Sequence, residues 1–457
     1  MNPKILIISM NSFSKVNNNG KTIETIFEDY PHDLLSHIYF SLEEEDLDFC
    51  KHALRFNTYD ALDNSCRLFK RRYGEVLNIE NNDIYEFKEN KYFDFVQKRF
   101  RKSKKNWNAK LPINLEYRNK KLYLFTELIW YQKRWCYKQI QDFILLNQPD
   151  IIFYQANLYS FLHKIVTKIA IHNNIPIMVQ CTDDYTIPHI KESKMNYLLN
   201  KYYMLNFKKL MKYSSSLLAI SDKMAKEYSE NYFNGKAFVF SNFVERNNSK
   251  VDYKNLKDKQ LLYAGNLGLN RWKTLVSLGK ALDILNKKDL LSGDKCSLSI
   301  YSGDKLSEEM KKEFGNIESV IFHGFLKPKE LDETIINSDY LIHCESFDED
   351  NKRVTRLSIS TKIGEYICSG RCIIAIGPED VASIEYLKNK NLAKVINSDS
   401  VNEILSNLIN LFKNDEESIL YTSEAEKEKH NRFNKTYLNS ILKEMIETAM
   451  EDKQRRS

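Results

Sequence analysis

The sequence predicts an α/β protein built from two Rossmann-like, doubly wound domains. Short β-branched and apolar runs alternate with helix-length segments, and this alternation restarts after a polar, charged stretch at Glu245–Lys259. The length of 457 residues also exceeds what one hydrophobic core usually holds.

The first series of apolar runs comprises Ile5–Met10, Ile38–Phe40, Ile151–Gln155, Ile177–Cys181, Leu217–Ser221 and Phe238–Phe240. Near-continuous apolar runs of this length suit parallel strands buried on both faces. The second series is Leu261–Ala264, Leu298–Tyr301, Val320–Phe322, Tyr340–His343, Ile373–Ile376 and Val395–Asn397. Between its members lie the helical stretches Trp272–Asn286, Lys329–Asn337, Thr361–Ser369 and Val401–Phe412, several with turn or capping residues at their ends.

Residues 1–244 are therefore expected to form an N-terminal domain, and residues 245–425 a C-terminal domain. A long, charged and aromatic segment at about 43–147 is read as an insertion in the first, with Leu122–Leu146 a long helix or a helix pair. Residues 426–457 are expected to be a helix that crosses back to the N-terminal domain and frays at its end. Two such domains in tandem would face a central cleft with the carboxyl ends of both sheets, where open α/β sheets bind ligands.

No stretch approaches the roughly 18 uninterrupted apolar residues of a membrane-spanning helix. The N-terminus reads as a first strand rather than a secretory signal, so a cytoplasmic protein is expected. Eight cysteines are scattered without a CxxC pair or a histidine-containing ligand cluster and read as reduced core thiols. The net charge of +6 is mild, but Lys98, Arg99, Arg101, Lys102, Lys104 and Lys105 crowd together beside Trp107. This cluster suits an anionic membrane surface at the inner face of the plasma membrane, or simply a solvated face. No nucleic-acid reading module accompanies it, so nucleic acid is not an expected partner.

Several segments carry residues with chemical potential. Asn19-Gly20-Lys21 opens a helix after the first strand, but Lys15 stands where a phosphate-binding P-loop needs its first glycine. What remains is a loop and helix start that suit an acceptor or a diphosphate, or form a plain turn. After Leu261–Ala264 comes Gly265-Asn266, then Arg271 at a helix start, where a guanidinium can grip phosphate. Beyond Tyr340–His343 a polar loop, Glu345–Leu357, precedes Ser358–Gly370. There Ser360 or Thr361 can cap a helix, Lys362 adds a full charge, and Glu365 falls near Lys362 on the same face, where it can accept from ribose hydroxyls or form an ordinary ion pair.

Taken in order, these residues resemble the retaining GT-B glycosyltransferases, in particular glycosyltransferase family 4. The variant motif Ser-x-Pro-x-Lys-x-x-Glu-Tyr-x-x-x-Gly is close to Ser358–Gly370, with Ser360 in place of the proline, and Ile373–Pro378 fits the strand that follows. The resemblance implies ribose binding by Glu365 and donor-diphosphate binding by the Gly265 loop with Arg271. It also matches Ser299–Asp304, with Gly303 in the glycine turn of the central strand, and Val320–Gly324, with His323 and Gly324, to the base-proximal strand.

Two departures stand out. The family's first motif glutamate would fall on Leu357, and its N-domain histidine on Thr182, followed by Asp183. Asp183 and Asp184 are the catalytic candidates, able to orient an acceptor or stabilise positive charge on the sugar; a strand-end cap explains one of them equally well.

The implied reaction moves a sugar from a UDP- or GDP-sugar to a glycan or lipid-linked acceptor, as in bacterial surface polysaccharide or glycoconjugate synthesis, with retention of configuration. Arg271 and Lys362 would supply the positive charge a departing diphosphate requires. Asp348-Glu349-Asp350 reads as a solvated acidic loop, so neither a metal nor another cofactor is expected. A sugar-nucleotide 2-epimerase or a non-catalytic partner subunit of the same fold are the alternatives.

Overall fold

The computed structural model describes residues 2–13, 18–41, 48–57, 60–61, 75–78, 85–86, 126–130, 134–186, 194–242 and 251–456. The basic cluster Lys98–Lys105, Trp107 and Cys66 lie outside them. The seven described cysteines are all buried.

The chain divides into two compact units: residues 1–219, 225–238 and 439–457 form the first, and residues 220–224 and 239–438 the second. Each has its own sheet, and both are α/β as expected.

The sheet of the first unit contains β1 (Ile5–Ser9), β2 (Leu35–Tyr39), β3 (His52–Arg55), β4 (Glu75–Asn78), β5 (Tyr85–Glu86), β6 (Ile151–Gln155), β7 (Ile177–Cys181), β8 (Ser214–Ala219) and β9 (Lys236–Val239). Their order is β5-β4-β3-β2-β1-β6-β7-β8-β9. From β3 through β1 and β6 to β8 the pairings are parallel, whereas β3–β4 and β4–β5 are antiparallel. The stretch read as an insertion thus begins by extending the sheet. Strands β1, β6 and β7 are buried at every residue, which explains their near-continuous apolar sequences, and the buried Gln155 of β6 donates to Gln180 of β7 at 3.1 Å.

Among the described residues, helices that follow these strands in the chain include α1 (Asn18–Phe27), α2 (Arg134–Asn147), α3 (Ser160–Asn173), α4 (Lys194–Tyr213) and α5 (Asp222–Asn231). Of the expected Leu122–Leu146 helix, residues 126–130 and α2 are helical among the described residues. Helix α3 ends on Asn174 in the left-handed conformation (φ 50°), a position asparagine tolerates.

The second sheet has the order β12-β11-β10-β13-β14-β15, all parallel: β10 (Lys259–Ala264), β11 (Cys296–Tyr301), β12 (Val320–His323), β13 (Tyr340–Cys344), β14 (Cys372–Ile376) and β15 (Ala393–Ile396). Its helices are α6 (Arg271–Lys287), α7 (Glu308–Phe314), α8 (Pro328–Ile336), α9 (Glu349–Thr355), α10 (Thr361–Ile367), α11 (Ala382–Asn389), α12 (Val401–Lys413) and α13 (Asp415–Asn431). In α12 the buried residues Ile404, Leu408, Leu411 and Phe412 repeat at helical spacing and join the core formed by Leu275, Leu282 and Leu298. Each such buried side chain contributes about 1.5–3 kcal/mol relative to exposure.

A last helix, α14 (Lys435–Arg456), belongs to the first unit from Asn439 onward. There Lys453 pairs with Asp150 at 2.8 Å, Lys236 with Glu444 at 2.7 Å, and Arg456 donates to the Tyr213 carbonyl at 2.7 Å.

Candidate functional site

In the second sheet the strand order reverses between β10 and β13, so chain leaving their carboxyl ends diverges to opposite sides and opens a crevice. A small pocket, partly open to solvent, lies there, lined by Gly265, Asn266, Arg271, Ser360 and Lys362 together with His343 and other residues of the strand ends.

Arg271 starts α6 and is gripped from two sides. Its Nε and Nη2 donate to Glu345 Oε2 at 3.1 and 3.0 Å, and its Nη1 donates to Asn266 Oδ1 at 2.9 Å. Glu345 is only 2% exposed; burial pushes its carboxyl upward, and Arg271 opposes that shift without cancelling it. The loop feeding Arg271 carries two consecutive non-glycine residues in the left-handed region, Leu269 (φ 54°) and Asn270 (φ 57°). Local strain of this kind persists where surrounding bonds hold it. Here Asn270 donates to Asp348 at 2.6 Å, and the Leu267 N–H donates to Asp304 at 2.7 Å. Gly265 has a packing reason of its own, since a Cβ there would stand 2.8 Å from the Tyr263 hydroxyl.

Lys362 reaches across to donate to the Ala264 carbonyl. Burial lowers its pKa, Arg271 lowers it further, and Glu365 acts in the opposite direction. Ser360 occupies the N-cap position of α10, but its side chain makes no cap hydrogen bond, so capping is not its role. Thr361 is exposed, and Glu365, half-buried on the same helix, is not among the residues that line the cavity.

The stretch Glu345–Leu357, expected to be a loop, contains helix α9, and Glu345 is buried behind Arg271. Gly303, His323 and Gly324 lie at the ends of β11 and β12, to the other side of β10. His323 stacks on Tyr301 with ring centroids 4.3 Å apart and 10° between planes.

One residue of this cavity escaped the sequence reading. His343, at the end of β13, is 6% exposed, and its Nε2 lies buried without a hydrogen-bond partner, 3.6 Å from Glu345 Oε1. Burial, aided by Arg271, lowers its pKa to about 3, so it is neutral at ordinary pH. A histidine within an apolar strand carries no signal that it lines a polar pocket.

The remaining candidates belong to the first unit. Asn19, Gly20 and Lys21 fall in the first turns of α1, with Gly20 buried and Lys21 exposed. Asp183 and Asp184 follow β7; Asp183 is exposed. Asp184 is buried, and its Oδ1 accepts from the Thr186 N–H at 2.9 Å and the Thr186 hydroxyl at 2.6 Å. That is a turn-forming role, with the Tyr228 hydroxyl adding a longer contact at 3.4 Å. Nearby His163 bonds Tyr154 through Nδ1 (2.8 Å) and Tyr203 through Nε2 (3.0 Å), and burial lowers its pKa to about 3. Among the described residues no group of three or more His, Cys, Asp or Glu side chains is arranged to hold a metal ion.

No protein-family model matches the chain, and no curated protein matches it in sequence. Solved structures do match in fold. The Anabaena Alr3699/HepE structure in complex with UDP is 13% identical, with a TM-score of 0.58 over 97% of this chain and 100% of that one. An α,α-trehalose 6-phosphate synthase from Burkholderia multivorans is 12% identical, with a TM-score of 0.59 over 98% and 99%. S. aureus TarM, in complex with Fondaparinux, α-GlcNAc-glycerol and UDP, is 10% identical, with a TM-score of 0.55 over 97% and 99%. At these identities the likeness establishes the fold: the chain has the GT-B architecture of these proteins.

Proposed function

We propose that the protein is a glycosyltransferase that takes a nucleotide-diphosphate-sugar as donor and passes the sugar to a glycan or lipid-linked acceptor. The observation that carries this reading is the convergence of Arg271, Asn266, Ser360 and Lys362 on one cavity at the reversal point of the second sheet. A departing diphosphate needs fixed positive charge, and a half-buried guanidinium and ammonium stabilise it more strongly than solvated ones do. Arg271 and Lys362 fill that role without a metal ion. UDP is the favoured nucleotide, because HepE is bound to UDP and UDP-glucose and TarM to UDP.

The finer parts of the proposal rest on the Ser358–Gly370 motif: membership of family 4, retention of configuration, and ribose recognition by Glu365. Asp183, exposed at the end of β7, is the acceptor-side candidate; Asp184 positions the turn that presents it. Action at the cytoplasmic face, in surface polysaccharide or glycoconjugate synthesis, completes the reading.

The test is a panel of UDP- and GDP-sugars, followed by thermal unfolding and by slow donor hydrolysis. One nucleotide class is expected to raise the unfolding midpoint, with Lys362→Ala abolishing the rise and Glu365→Ala reducing it. No stabilisation and no hydrolysis across the panel would overturn the assignment.

A further inference from the structure

Helix α4 (Lys194–Tyr213) contains no aspartate or glutamate in twenty residues. Its inner side is firmly seated: Tyr203, Phe207, Leu210 and Met211 are buried, and Asn206 donates to the Ser160 hydroxyl of α3 at 2.8 Å. Its outer side exposes Tyr197, Leu198 and Leu205 by 58%, 58% and 61%, interleaved with exposed Lys201, Lys208, Lys209 and Lys212. At about 100° per residue these seven side chains fall within an arc of roughly 120°. Among the described residues none of the four lysines is ion-paired.

We propose that this face of α4 docks the protein on an anionic lipid bilayer, lysines to the headgroup phosphates and Leu198, Leu205 and Tyr197 into the headgroup and acyl boundary. Both halves of the face then have a partner, which is the reason to prefer a bilayer. A nucleic acid would satisfy the lysines and leave the leucines in water. A second copy of the chain packed on the same face about a two-fold axis would set lysines against lysines. Isolated exposed leucines are ordinary; two leucines and a tyrosine sharing one arc with four lysines that form no ion pair among the described residues, and with no acid on the helix, are not. Helix α4 belongs to the first unit and shares no residue with the donor cavity, so the inference does not depend on the proposed activity.

The experiment is co-sedimentation of the full chain with vesicles of phosphatidylcholine alone and of phosphatidylcholine mixed with phosphatidylglycerol. Binding is expected only to the mixed vesicles and is expected to weaken as salt is raised. Replacing Lys201, Lys208, Lys209 and Lys212 with alanine is expected to weaken binding roughly fivefold per lysine, whereas the four arginine replacements retain it. Leu198→Ser with Leu205→Ser is expected to weaken it about tenfold or more. The proposal is overturned if the wild-type chain ignores anionic vesicles, if the alanine variant binds as wild type does, or if the serine variant is unaffected. Failure of the arginine variant to bind would equally overturn it, since charge would then not be the cause.

Discussion

Glu345 holds Arg271 side-on, accepting from Nε at 3.1 Å and from Nη2 at 3.0 Å, and thereby fixes the guanidinium at the wall of the candidate donor cavity. The carboxylate is almost fully buried and the arginine side chain is 16% exposed. Such a pair adds little net stability against apolar replacements, but losing one partner leaves a buried charge without compensation.

Glu345→Ala is therefore expected to destabilise the protein by about 3 kcal/mol, measured by urea denaturation. UDP affinity, measured by calorimetry, should fall on the order of tenfold or more, because Arg271 loses its fixed orientation. Glu345→Gln keeps the shape and one acceptor and should give smaller losses of both kinds. Unchanged UDP affinity in Glu345→Ala would show that Arg271 needs no such support.

Lys362 gives a prediction in pH. Burial first, and then Arg271, lower its pKa below the ordinary lysine value of about 10.4, so it deprotonates earlier than an exposed lysine. A bound diphosphate favours the ammonium, so UDP affinity should decline as pH rises through that lowered pKa. In the ligand-free protein the unfolded chain binds the proton more tightly, so the stability contribution of this group should rise over the same interval. Titrating UDP between about pH 7 and 10 checks the first, and Lys362→Met should remove the decline.

Gly364 shows two effects in opposition. In a helix alanine is favoured over glycine by about 1 kcal/mol. A Cβ at this position, however, would collide with the Asn242 carbonyl oxygen, which is backbone. The clash should win: Gly364→Ala is expected to destabilise by about 1–3 kcal/mol and lower the unfolding midpoint. A raised midpoint would show that the Asn242 segment yields.

His163 and His343 are both buried with pKa values near 3, against about 6.5 in the unfolded chain. Between those values the unfolded chain takes up protons that the folded chain refuses. Stability should then fall with decreasing pH by about 1.4 kcal/mol per unit for each histidine. Comparing urea denaturation at about pH 7 and pH 5 tests this window, before most carboxylates titrate. His163→Gln should flatten the slope; an unaltered slope would show that His163 is protonated in the folded state.

Much of the architecture was legible because a parallel strand covered on both faces needs a near-continuous apolar run. Ile151–Gln155 and Ile177–Cys181 are read at their observed bounds for that reason. Strands β3, β4 and β5 left no such mark, since each is at most four residues long and carries polar residues such as His52, Arg55 and Glu75. Helix α9 was read as a loop because its seven residues, Glu349–Thr355, are almost all polar, with only Thr355 buried.

The same division runs through the candidate site. Alone, the sequence determined two α/β units and marked Arg271, Ser360 and Lys362, because a strand, a glycine-bearing loop and a helix start are local features whose spacing is visible along the chain. Only the tertiary structure decided what those groups touch. Arg271 and Glu345 are 74 residues apart, and they meet because β10 and β13 are neighbours in a sheet whose order reverses between them. The same adjacency buries His343 beside the pair and brings Lys362 to the Ala264 carbonyl. Pairing of this kind is set by strand order, which no local pattern of residues encodes.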